Sequence, residues 1–178
     1  MIYAAFLRGM NLGNRRITND DLRAEFERIG LEGPRTFQVA GNVVFESPEE
    51  SEAELTALIE SGLEDGLGYP VPTVLRNGPE LEDLVGAEPF PPEAIEASNG
   101  KLQVLLLAAA PTAAARERVL AHATAEDRLA FGDRELFWLP SGRMSESELD
   151  LRGIEKALPT GTMRTRGTIE RLAARFLG

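Results

Sequence analysis

The chain has 178 residues, 29 acidic against 19 basic, and a net charge of −10; 43% of its residues are apolar and 27% charged. That length and balance suit one globular domain, or two small ones sharing a core, while the acidity disfavours nucleic-acid partners, whose affinity comes from phosphate contacts. No cysteine is present, which excludes disulfides, thiolate nucleophiles and cysteine-ligated metals.

The apolar start, Ile2 to Leu7, is too short for a signal peptide or a membrane span and reads as a buried strand. No membrane partner is expected, and the cytosol is the expected compartment. A polar loop from Arg8 to Ile17 leads to Thr18, an N-cap followed by Asp20 and Asp21. Leu22, Phe26 and Ile29 share one face of the helix that follows, and Gly30 suits its end. Arg35 to Val39 and Val43 to Glu46 read as two strands around a tight turn at Gly41-Asn42. Ser51 caps a second helix with Leu55, Leu58, Ile59 and Leu63 on one face, and Val71 to Leu75 reads as a strand. The order β-α-β-β-α-β is the split pattern of ferredoxin-like domains.

A short helix near Pro79 to Val85 and a proline-rich stretch, Pro89 to Pro92, then separate the halves. Leu102 to Ala108 reads as the strongest buried strand. Pro111 opens an alanine-rich helix to about Ala123. Arg128 to Phe131 and Glu135 to Leu139 form a hairpin around Gly132-Asp133, and helices follow near Asp150 to Ala157 and Gly167 to Phe176. The second half thus repeats β-α-β-β-α without an evident closing strand. The expected architecture is α+β with two ferredoxin-like halves, the second degenerate, and a C-terminal helical tail. Its expected division is residues 1–77, a connector 78–100, and 101–178.

The single histidine, His122, has no second histidine with which to bind a metal, and neither a P-loop, a dinucleotide fingerprint nor a nucleophile elbow is present. No cofactor and no metal are expected. Charge is uneven: from Thr36 to Gly100 one basic residue, Arg76, faces fourteen acidic ones. Against that background three segments stand out. The first loop carries Arg8, Gly9, Asn11, Gly13 and Asn14, in which glycines let a ligand approach the backbone and arginine clamps an anion. The hairpin carries Asn42. The tail carries Arg164, Arg166 and Thr168 ahead of a helix start, where the dipole favours an anion. Together they suggest binding of a small anionic, phosphate-bearing ligand, shared by all three segments if the fold brings them together.

The run Arg8-Gly9-Met10-Asn11-Leu12-Gly13 and the block from Arg35 to Phe45 resemble the signature blocks of the bacterial domain-of-unknown-function family numbered 1697. The tail from Thr160 to Leu172 is similar to that family's closing segment. The resemblance implies two ferredoxin-like halves and brings no reaction with it. Asn14, Ala40 and Thr165 depart from the family pattern, which has glycine, serine and asparagine there. Two other readings stay open on the residues alone. One is a phosphoryl or acyl-phosphate hydrolase or transferase, by analogy with acylphosphatases, which resemble this design in a loop arginine and a hairpin asparagine. The other is a protein-interaction module without catalysis. RNA binding suits the element order, but the strands carry little positive charge. Neither turnover nor oligomeric state is legible in the residues.

Overall fold

A computed structural model describes residues 1–38 and 41–178; Val39 and Ala40, the last residue of an expected strand and one of the family departures, lie outside the described residues. The chain divides into two compact units, Met1–Glu82 with Leu172–Gly178, and Asp83–Arg171.

In the first unit β1 (Ile2–Leu7), β2 (Glu32–Thr36), β3 (Asn42–Glu46) and β4 (Thr73–Asn77) form an antiparallel sheet in the order β2-β3-β1-β4. Helices α1 (Asn19–Ile29) and α2 (Glu52–Leu67) follow β1 and β3 and pack together. Strand alternation sends Tyr3, Ala5, Leu7, Val43, Phe45 and Leu75 to one face, where they meet Leu22 and Phe26 of α1 and Leu55, Ile59 and Leu63 of α2. Burying each large apolar side chain there contributes roughly 1.5–3 kcal/mol. Thr18 caps α1 by accepting from the Asp21 amide at 3.1 Å, and Gly30 ends it in the left-handed conformation.

The hairpin differs from its expected form. Asn42 belongs to β3, paired with Phe6, and β2 ends at Thr36, so the expected turn position at Asn42 is a strand position. β2 accordingly begins three residues earlier, with an irregular register at Gly33 and Pro34. Backbone pairing to the neighbouring strand outweighs the turn preference of an Asn residue.

Tyr3 offers a pH test of this core. Its phenol donates to the Glu49 carbonyl at 2.8 Å, and burial, aided by Glu50, Glu49, Glu52 and Glu80, raises its pKa above the usual 10.0. The unfolded chain ionises at pH 10 while the folded chain resists, so this residue lowers stability as pH climbs above 10. In a Tyr69→Phe variant, the remaining phenol is expected to titrate above pH 10 by ultraviolet absorbance. A transition at pH 10 or below would contradict this.

In the second unit β5 (Gln103–Leu107), β6 (Asp127–Phe131), β7 (Glu135–Pro140) and β8 (Gly161–Thr165) form an antiparallel sheet in the order β6-β7-β5-β8. Helices α5 (Ala113–Leu120) and α6 (Leu151–Ala157) pack together beside it, and Leu105, Leu107, Val119, Leu136 and Ile154 form the core. Thr112 caps α5, accepting from the Ala115 amide at 3.1 Å, so Pro111 precedes the helix rather than opening it. The hairpin turn centres on Asp133 and Arg134, closed by the Gly132 amide on the Glu135 carbonyl at 2.9 Å. Helix α3 (Gly78–Gly86) precedes a short helix, α4 (Pro92–Ala97), within the proline-rich stretch; α7 (Arg166–Phe176) follows β8. The division between units falls inside α3 and inside α7.

β8 is the closing strand that the sequence reading lacks, so the second copy is complete rather than degenerate. Its residues, Gly-Thr-Met-Arg-Thr, contain one strongly apolar side chain, and as an edge strand it pairs only with β5. The two copies match in the pairing of their central strands. Ala4 lies opposite Val44 and Arg76; Val104 lies opposite Phe137 and Arg164. Leu7 donates to the Gly41 carbonyl and Arg8 to that of Pro72; Leu107 and Ala108 donate likewise to Arg134 and Thr160. Among the described residues no helix is long and apolar enough to cross a membrane.

Candidate functional site

The first loop is built by left-handed residues at Gly9, Asn11 and Gly13, with φ of 73°, 57° and 56°. Asn11 Oδ1 accepts from the Ile17 amide at 3.0 Å, and Arg15 and Arg16 donate their amides to the Leu12 and Asn14 carbonyls. The loop is therefore ordered by its own polar groups, with the side chains of Arg8 and Asn14 exposed. The hairpin loop meets it closely. A Cβ on Gly41 would lie 2.8 Å from Met10 Cγ and 2.9 Å from Leu7 Cβ, so glycine is what lets the two loops pack. Gln38, left-handed at φ 57°, accepts from Asn19 Nδ2 at 3.2 Å through its carbonyl.

Two of the three expected segments thus adjoin, but Asn11 and Asn42 hold their own loops. Asn42 is 1% exposed and its Nδ2 donates to the Phe37 carbonyl at 3.0 Å, which holds the hairpin loop. The start of α1 is also occupied, since Thr18 caps it and Asp20 and Asp21 already answer its dipole. Asn14, Arg15 and Arg16 line a hollow of about 480 Å³ with Asp21, Glu25 and Tyr69. The Arg15 guanidinium stacks 4.5 Å above the Tyr69 ring.

The tail residues belong to β8 and the start of α7, in the second unit. Arg164 sits in β8 on the sheet face away from the helices, with Nη1 donating at 2.8 Å to Thr162 Oγ1 and to the Met163 carbonyl. Burial pushes its pKa down to about 10. Arg76 is its counterpart in the first copy, with Nη1 on the Leu75 carbonyl at 2.8 Å. Thr165 caps α7 by accepting from the Thr168 amide at 3.1 Å. Threonine and asparagine both serve as caps, and the first copy has Asn77 at the matching position, accepting from the Glu80 amide at 2.9 Å. The family departure at Thr165 therefore keeps a capping residue.

Beside this helix start lies a hollow of about 640 Å³ whose lining includes Lys101, Leu102, Arg166, Glu170 and Arg171. Glu88, Phe90, Ile95 and Glu96, from the connector and α4, line it as well. Arg166 donates from Nη2 to the Val85 carbonyl and has Nε 3.2 Å from Glu170 Oε1. Arg171 Nη2 reaches Thr168 Oγ1 at 3.4 Å. The first turn of α7 holds no acidic residue. In the first copy the equivalent helix start carries Glu80, whose Oε2 accepts from the Asn77 amide at 2.9 Å. Of the expected residues, Arg166 lines this hollow; Arg164 and Thr168 are outside its lining. Sequence reasoning did not anticipate Lys101, Arg171, Phe90 or Ile95, because nothing in the proline-rich stretch signals that it faces a helix start.

A third hollow, of about 600 Å³, gathers His122, Glu126, Asp127, Arg143, Glu146 and Asp150 among its walls. His122 lies just past the end of α5 and not within it. Among the described residues no group of three or more His, Asp or Glu could hold a metal ion.

The family described as protein of unknown function (DUF1697) matches residues 1–137 of the chain. The chain belongs to this family. For this DUF1697 member the match spans the first loop, the hairpin loop and the connector, and ends within β7; β8 and α7 lie beyond it. The conserved bacterial protein SP0830 from Streptococcus pneumoniae has a similar solved structure, with a TM-score of 0.79 at 19% identity over 99% of this chain and 98% of that one. At that identity the likeness shows a shared fold. No curated protein matches the chain.

Proposed function

We propose that this DUF1697 member binds a small organic anion, a phosphate or carboxylate on an apolar body, in the hollow at the start of α7. The observation that supports it is the convergence of Lys101, Arg166 and Arg171 on a helix start with no acid in its first turn. Helix starts favour negative charge, and arginine forks suit phosphate and carboxylate. Phe90, Ile95 and Leu102 supply an apolar wall, and the volume falls in the range of small-molecule sites. The first copy supports the same reading from within the chain: where Glu80 provides a carboxylate to its own helix start, the second copy has Thr168.

The test is a titration with hexanoate and with hexyl phosphate, followed by amide shifts at Leu102 and Gly167. Saturable shifts are expected for both anions and none for hexanol. The Lys101→Ala, Arg171→Ala double variant should weaken binding by at least about tenfold, since hydrogen bonds to charged groups contribute roughly 1.5–3 kcal/mol each before exposure reduces them. Equal affinities for wild type and variant would end the proposal.

A further inference from the structure

We infer that the ligand of this hollow is zwitterionic, with an amine or guanidinium at the end opposite its anionic group; the inference rests on the anion reading above. The lining of the hollow carries charges of both signs. Lys101, just before β5, and Arg171 of α7 supply cations, whereas Glu88 of the connector and Glu96 of α4 supply carboxylates. The ion pair within the lining joins Arg166 to Glu170, both in α7; among the described residues Lys101, Arg171, Glu88 and Glu96 form no ion pair.

Four charges therefore share one small hollow without neutralising each other. A plain anion docked on Lys101 and Arg171 gains their attraction and also meets the field of two carboxylates. Unit charges a few ångströms apart near a protein surface act on one another even through screening, so that opposition is able to choose between ligands. A second, positive end answers it. It would donate charge-assisted hydrogen bonds to Glu88 and Glu96. The apolar side chains of Phe90, Ile95 and Leu102 suit a short hydrocarbon body between the two ends. The class is thus an ω-amino or ω-guanidino acid, or the matching phosphate.

Titration with hexanoate and with ω-aminohexanoate separates the two readings, in wild type, in the Glu88→Gln, Glu96→Gln double variant and in the Lys101→Ala, Arg171→Ala double variant. Glu88 and Glu96 are both exposed, so the glutamine variant keeps the fold, which circular dichroism checks. The amino acid is expected to bind about tenfold more tightly than hexanoate in wild type. In the glutamine variant that advantage should vanish while hexanoate binding holds or improves. Should hexanoate bind as tightly as its amino derivative in wild type, yet lose affinity in the Lys101→Ala, Arg171→Ala variant, the zwitterion is overturned and the anion site stands. Should neither probe bind, or should both ignore Lys101 and Arg171, both readings fall.

Discussion

Gly41→Ala is expected to lower stability by about 3 kcal/mol, the sum of a left-handed backbone penalty of roughly 1–2 kcal/mol and an overpacking cost of roughly 1–3 kcal/mol. Gly41 has φ of 75°, and its added methyl would meet Leu7 Cβ at 2.9 Å, Met10 Cγ at 2.8 Å and the Leu7 carbonyl oxygen at 3.4 Å. Leu7 is fully buried in the core strand, so it cannot yield by swinging into solvent. Gly13→Ala is the matched control: φ is 56°, but nothing lies within 4 Å of the added Cβ. It should cost about 1 kcal/mol, the backbone penalty alone. In thermal unfolding the first variant should melt about 6–12 °C below wild type and the second about 2–4 °C below. Equal losses would show that the hairpin loop gives way and that Gly41 does not set the approach of the first loop.

Much of the fold was legible because periodicity carries it. The apolar run Ile2 to Leu7 reflects a strand buried on both faces, the i, i+4, i+7 spacing of Leu22, Phe26 and Ile29 reflects burial on one face, and both elements formed where expected. Caps were legible for the same local reason: Thr18 and Ser51 each accept a backbone amide at a helix start. What sequence reasoning lost was decided by partners far along the chain. β8 is a strand because β5 offers it an edge, and Asn42 is a strand residue because Phe6 pairs with it. The site shows the same split. The tail arginines were legible as unusual in composition, but only the fold separates Arg166, on the hollow, from Arg164, half-buried in β8. Lys101 and the apolar residues of the connector could not have been chosen, since their importance comes from facing α7 across some 65 residues of sequence.

Asp127→Leu is expected to cost about 3 kcal/mol, because it strands the buried indole N–H of Trp138 and removes the acceptor of the half-buried Ser147. Asp127 is 5% exposed, and its Oδ1 accepts from Trp138 Nε1 at 2.9 Å and from Ser147 Oγ at 2.7 Å. One oxygen thus ties the start of β6 to β7 and to the chain that leads into α6. Removing the carboxylate leaves the indole N–H with no acceptor in a site that is 1% exposed, and the desolvation cost of that group stays unrecovered. Asp127→Asn keeps an oxygen in place and should cost only about 1 kcal/mol, the difference between a charged and a neutral acceptor. Trp138 is the only tryptophan, so its fluorescence reports unfolding of this unit alone. A double-mutant cycle followed by circular dichroism isolates the bond: Trp138→Phe should be at least about 1 kcal/mol less damaging in the Asp127→Leu background than in wild type. Additive losses would mean that the indole draws its stability from packing and that the Asp127 carboxylate serves Ser147 alone.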